Sequence, residues 1–253
     1  MEPTQSTAPP MQTLPLFPLD MVLFPGMHVS LHIFEERYKT MIMRCLDTNR
    51  PFGIVLPLAE QPQKFEPRKI RTHNIGCSAR ILGIEHLEGG EMDIEIEGVE
   101  RFRILEQHDA LPYRTGVVEA FADAAMSRAR KNSADKLFGE VQTLLRDFLT
   151  RQLALLGQRV VEFDLPRDTA VLSFIAACVL PVDNADKQRL LETTDTAQRL
   201  DAERDVLRRA IAQLRRGEAR VRQEGDGGPA SASARARFEP IRAERYHDYL
   251  CGN

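Results

Sequence analysis

Across residues 14–121 apolar positions alternate with polar ones, and Pro and Gly cut the alternation into short runs, which predicts strands. The pattern is clearest around Gly89-Gly90. Met92, Ile94 and Ile96 alternate with Asp93, Glu95 and Glu97 on one side, and the run from Ser78 to Glu85 lies on the other. Two glycines tolerate the positive φ angles of a tight hairpin, and the alternation gives one buried and one wet face. Gly98 reads as the next turn, followed by two further strands around Arg101-Phe102-Arg103-Ile104-Leu105 and residues 113–120. One helix interrupts the strands between Phe34 and Leu46, where Tyr38, Met41, Ile42 and Cys45 recur at helical spacing. Together these elements make a small curled sheet or barrel with a helix packed against it.

After a polar stretch at 127–132 the period becomes helical. Ser133 is placed to cap a helix with Leu137, Phe138, Val141, Leu144, Leu145 and Phe148 on one stripe. Asp168 caps a second helix that Pro181 ends, Asp183 opens a third, and Asp195 with Gln198 resembles a capping box for a long fourth. Leu200, Leu207, Leu214 and Val221 repeat every seven residues, but their companions Glu203, Ala210 and Gly217 make a poor coiled-coil seam, so the helix is expected to pack on its own bundle. Residues 225–234 have linker composition, and 235–253 place Phe238, Ile241, Tyr246, Tyr249 and Leu250 among mixed charges. The expected class is therefore α+β: a disordered N-terminus at 1–13, a β subdomain at 14–121, a linker at 122–132, a helical subdomain at 133–216, and a flexible linker and tail at 217–253.

Composition adds exclusions. A formal charge of −3 argues against a protein devoted to neutralising phosphates. Cys45, Cys77, Cys178 and Cys251 form no CxxC pair, as expected of a reducing compartment, and residues 1–13 have neither the basic n-region nor the apolar h-region of a signal peptide, so none is expected. The longest apolar run, residues 171–182, contains Pro181 and falls well short of the ~20 residues of a membrane helix. A cytoplasmic location is expected.

Catalytic motifs are missing. GxxxxGK[ST] does not occur, and the nearest approach to GxSxG, at Gly76-Cys77-Ser78-Ala79-Arg80, lacks the second glycine, so Ser78 reads as a strand residue. His28 and His32 have no third ligand in a known pattern, and no metal or cofactor is expected. Glu35, Glu36, Glu95, Glu97 and Glu100 read as solvated acids; Arg80, Arg101 and Arg103 read as charges that discourage edge-to-edge pairing.

Several segments in order carry a resemblance: Leu14-Pro15-Leu16-Phe17-Pro18-Leu19, Val22-Leu23-Phe24-Pro25-Gly26, Ile33-Phe34-Glu35-Glu36-Arg37-Tyr38, Phe52-Gly53-Ile54-Val55-Leu56, Ile75-Gly76-Cys77-Ser78-Ala79-Arg80-Ile81 and Glu97-Gly98-Val99-Glu100-Arg101-Phe102-Arg103-Ile104. Pro181-Val182-Asp183, Lys187-Gln188 and Leu190-Leu191-Glu192-Thr193 extend it. The chain resembles the Lon protease N-terminal substrate-binding domain, in a stand-alone form without the ATPase and protease domains. The resemblance implies a PUA-like pseudobarrel followed by a helical bundle, and a non-catalytic module that binds unfolded or client polypeptides in protein quality control. Phe24, Pro25, Gly26 and Met27 are the candidate contact loop, since Pro-Gly makes a turn that either projects two large apolar residues or tucks them into the core. Two rival readings accompany this one. The first is an adaptor that docks on a separate protease or ATPase through the tail from Arg235; the second is an RNA-binding module using Arg68, Lys69, Arg71 and Arg80.

Overall fold

The computed structural model describes residues 11–58, 70–155 and 164–224. In chain order the elements are β1 (Gln12–Pro18), β2 (His28–Ile33), α1 (Glu36–Thr48), β3 (Phe52–Val55), β4 (Ile75–His86), β5 (Met92–His108), β6 (Arg114–Ala120), α2 (Arg128–Leu155), α3 (Thr169–Val179), α4 (Asn184–Glu192) and α5 (Thr196–Glu224). They fall into two compact units. The first takes the chain up to Asp123 together with 183–194; the second takes 124–182 and the chain from Asp195. Linker and tail beyond residue 224 lie outside the described residues, and β1 begins within the stretch expected to be disordered.

In the first unit the strands run β2-β5-β4-β3-β1-β6, and β6 also pairs with β5, so five strands close on themselves and β2 is left outside the ring. The β1–β3 pair is parallel, while every other pair is antiparallel. Closure depends on the length of β5. It runs through Gly98 without a turn, pairing with β2 along its first half and with β6 along its second. The turn expected at Gly98 is thus corrected to a close approach: a Cβ there would collide with the Phe24 carbonyl oxygen.

The Gly89-Gly90 hairpin is present. Both glycines take positive φ, +81° and +77°, but the loop is longer than a two-residue turn, with Leu87 N–H donating to the Glu91 carbonyl at 2.9 Å. Register shifts at Cys77/Ala79, Ile81/Gly83 and Ile104/Glu106 put Ser78, Leu82 and Leu105 at bulges. Bulges bend strands enough to close a small barrel, and an extra residue falls out of the in–out alternation. That is why Leu82 and Leu105 are exposed. Ser78 bonds both ways with the Glu100 backbone at 3.2 Å, as a strand residue does.

Two apolar clusters fill this unit. Tyr38, Met41, Ile42 and Cys45 of α1 pack with Val29, Ile33, Met92, Ile94 and Ile96; Leu14, Leu16, Val55, Phe102, Ile104 and Val118 form the other. Helix α4, expected among the helices, groups with the strands. The Gln188 amide donates to the Ile75 carbonyl at 2.9 Å, and Asn184 donates to the Asp20 carbonyl at 3.0 Å. Arg101 accounts for much of the attachment. Rather than an exposed strand charge, it is 4% exposed, donates to the carbonyls of Leu191 (2.7 Å) and Thr193 (2.9 Å), and pairs with Asp123. Its partners stand at both points where the chain leaves this unit.

The second unit packs α2 and α3 against α5. Helix α2 begins at Arg128, earlier than expected, with the Ser127 hydroxyl accepting from Arg130 N–H, so Ser133 lies inside the helix and back-bonds to Ala129. Asp168, Asp183 and Asp195 cap α3, α4 and α5 as expected. Leu200, Leu207 and Leu214 are buried; the side chain of Val221 lies outside the described residues. Glu203 and Arg199 are fully buried, and the Ser173 hydroxyl joins them, donating to Glu203 at 2.8 Å and accepting from Arg199 Nε at 2.7 Å.

Candidate polypeptide-binding edge

Val22, Leu23 and Phe24 are buried and lead into the turn before β2. Met27 N–H donates to the Phe24 carbonyl at 3.0 Å, with Pro25 second and Gly26 third at φ +77°, the signature of a type II turn. Two more bonds fasten this turn to β5: Gly26 N–H to the Gly98 carbonyl (2.7 Å) and Gly98 N–H to the Met27 carbonyl (2.8 Å). Phe24 is 0% exposed and belongs to the core, so it is not a projecting contact; Pro25 and Met27 are half-buried and Gly26 is exposed. The missing Cβ of Gly98 lets the turn settle this closely, a relation between positions far apart in sequence.

Strand β2 follows directly. Its register against β5 sets His28, Ser30 and His32 opposite Glu97, Glu95 and Asp93, and Val29, Leu31 and Ile33 opposite Ile96, Ile94 and Met92. Among the described strands β2 pairs with β5 alone, leaving its other edge without a strand neighbour. Phe34, at the end of this edge, is 60% exposed and stacks on His32 with centroids 6.0 Å apart. Behind it Glu35 binds Arg37 at 2.8 Å, and the Arg37 guanidinium lies 4.4 Å from the ring centre of Tyr38, whose hydroxyl is held above its ordinary pKa chiefly by burial.

His32 Nδ1 lies 2.7 Å from Asp93 Oδ1 and Nε2 lies 3.1 Å from Glu91 Oε2. The hydrogen bond to Asp93 is the main cause of a pKa raised above 6.5, with the negative charges of Asp93 and Glu91 adding to it. His28 shares the outer face of β2 with His32, as their spacing allows, and the partners of His32 come from β5 and the loop before it. No group of three His, Cys, Asp or Glu suited to a metal occurs among the described residues.

The basic candidates are dispersed. Arg68 and Lys69 lie outside the described residues, while Arg80 pairs with Glu97 at 2.5 Å. Arg71 lines an open cavity of about 770 Å³ with His73, Arg103 and Arg114. Acids engage these last three: Glu192, Glu119 and Asp109.

The family model described as the ATP-dependent protease La (LON) substrate-binding domain matches residues 13–209. The chain belongs to this family. A Lon protease of Xanthomonas oryzae pv. oryzae is 28% identical over 203 residues, 79% of this chain and 23% of that protein. A LON peptidase N-terminal domain and RING finger protein of Schizosaccharomyces pombe is 25% identical over 213 residues, 74% of this chain and 43% of its own. The chain thus spans about a quarter of the length of the Lon proteases it matches. Among solved structures, the Lon N-terminal domain protein of Xanthomonas campestris aligns with a TM-score of 0.51 at 26% identity, covering 76% of this chain and 96% of that one. The N-terminal domain of Mycobacterium avium complex Lon protease shares the fold, with a TM-score of 0.56 at 19% identity over 78% and 98% of the two chains. The LON-domain architecture is α+β, a PUA-like pseudobarrel with helices following it, and the family is one of substrate recognition. Among the described residues no helix is long and apolar enough to cross a membrane.

Proposed function

We propose that this LON domain is a non-catalytic module that holds extended stretches of unfolded client polypeptide by adding them as a strand along the free edge of β2. The observation that carries this reading is the edge itself: among the described strands β2 has a neighbour on one side only. Main-chain pairing is indifferent to most side chains, which suits a receptor for many clients, and apolar neighbours add affinity. Phe34 supplies such surface at one end of the edge, with half-buried Leu31 along the strand and half-buried Met27 at its other end. Pro25, Gly26 and Met27 border the edge as contact candidates, and Phe24 serves as their buried anchor. Membership in a substrate-binding family supports the same reading. The work is assigned to the cytoplasm, in keeping with the buried cysteines Cys45, Cys77 and Cys178.

Hydrogen exchange with a reduced, carboxymethylated client tests it. Slower exchange of the amides of residues 27–34 on client binding is the expected outcome; a bound client that leaves those amides unchanged sinks the reading.

A second reading is favoured by the Schizosaccharomyces pombe relative, whose name joins a LON domain to a RING finger. Here the domain is an adaptor that docks on a separate protease or ATPase through residues 235–253. Deleting residues 225–253 is expected to abolish co-purification of that partner; undiminished capture removes the tail from the account.

A further inference from the structure

Strand addition at β2 leaves open which extended segments are held, and the ribbon behind that edge bears on the choice. Beyond β2 lie the first half of β5 and the second half of β4, paired through Arg80↔Glu97, Gly83↔Glu95 and Glu85↔Asp93. Ile94, Ile96 and Met92 point into the core, so Asp93, Glu95 and Glu97 occupy the outer face with Glu85 of β4, and Glu91 stands at the end of the hairpin. Arg80 is committed to Glu97, and His32 to Asp93 and Glu91. Among the described residues no cation lies within ion-pair distance of Glu85 or Glu95. The outer face therefore carries a net negative charge. The β2 residue opposite Glu95 is Ser30, exposed and small.

We propose, building on the strand-addition reading, that the β2 edge selects extended segments with Lys or Arg at alternate positions and apolar residues between them. A strand added beside β2 would lie about 10 Å from β5, two strand spacings away. Alternate side chains of that segment then fall on the outer face. A long, flexible Lys or Arg stem leans across Ser30 and carries its charge toward Glu95, within the roughly 8 Å over which charge acts at physiological salt, while Glu85, one strand farther on β4, adds a weaker attraction. The intervening residues fall on the other face beside Leu31, where an apolar side chain is favoured. Acidic segments are repelled by the same face. The strand edge thus sets affinity for extended chain in general, and the acidic face discriminates among chains.

The test uses the full chain and three fluorescent peptides of one length, with Lys, Gln or Glu alternating with Val and Leu, titrated by anisotropy. The expected order is Lys over Gln over Glu, with at least a five-fold gap between Lys and Glu that shrinks as salt rises. Glu85→Gln with Glu95→Gln, checked for folding by circular dichroism, is expected to lower Lys-peptide affinity at least three-fold and leave the Gln peptide unchanged. Glu95→Lys should narrow the gap between the Lys and Glu peptides further than the paired Gln variant does. Equal affinities, or a preference unmoved by either variant, overturn the selectivity while client-dependent protection of β2 amides keeps strand addition standing. No binding and no protection overturn both. Protection of β2 in a peptide-free dimer assigns the edge to a second copy of the chain and also overturns the proposal.

Discussion

Arg101 ties the first unit together at three points, donating to the backbone carbonyls of Leu191 and Thr193 and pairing with Asp123. Replacing it with Ala leaves those carbonyls and Asp123 without it, a loss of about 3 kcal/mol. Urea unfolding of Arg101→Ala should show a midpoint lowered by that free energy divided by the slope, with the slope unchanged. In sequence Arg101 alternates with Phe102 as an outward strand residue would. Its burial is set by partners some ninety residues away, which no local pattern encodes. The partners of His32 are hidden from sequence for the same reason, lying across the β2–β5 pairing. Its raised pKa means that the folded state favours the charged imidazole. The resulting stabilisation is whole below the unfolded value near 6.5 and fades as pH climbs through the raised value. An NMR titration should place the His32 midpoint above 6.5, and Asp93→Asn should lower it. Cys45, whose thiol burial pushes up to about 11, stays protonated at neutral pH.

Elements were more legible than residues wherever one period ran uninterrupted. The faces of α1, the first half of β5 and α5 followed from spacing alone, as did the caps Asp168, Asp183 and Asp195, because cap chemistry is local. The bulges at Ser78, Leu82 and Leu105 were not legible, since a bulge is a mismatch between two strands and each strand alone looks regular. Along α5 a similar limit applies. Glu203 spoils a seam between two copies of one helix, yet within the bundle it is half of a buried pair with Arg199, joined through Ser173 of α3. Ser173→Ala removes both bonds with almost no change in volume and should lower the stability of the helical unit by about 2 kcal/mol. A smaller denaturant midpoint for the helical signal than for the β signal would place the loss there; unaltered unfolding would mean that Arg199 and Glu203 satisfy each other without the hydroxyl.

At the scale of the whole chain, the candidate edge was legible only as a neighbourhood. The Pro25-Gly26 turn was identified correctly, but which of its residues reach solvent depended on Gly98, and the open edge of β2 follows from how the barrel closes. The division into units carries its own prediction. A fragment ending at residue 123 lacks the Gln188, Leu191 and Thr193 groups that bind Ile75 and Arg101. It should therefore show weak, broad thermal unfolding that sharpens and rises when a synthetic peptide of residues 183–194 is supplied; a fragment equally stable with and without the peptide would contradict this. During synthesis the ribosome releases the chain from its N-terminus, so the barrel strands emerge first and wait, with Arg101 lacking two of its acceptors, while the intervening helices are made. Only when Leu191 and Thr193 clear the exit tunnel can the barrel complete its contacts, which ties the maturation of the first unit to translation of nearly the whole described chain.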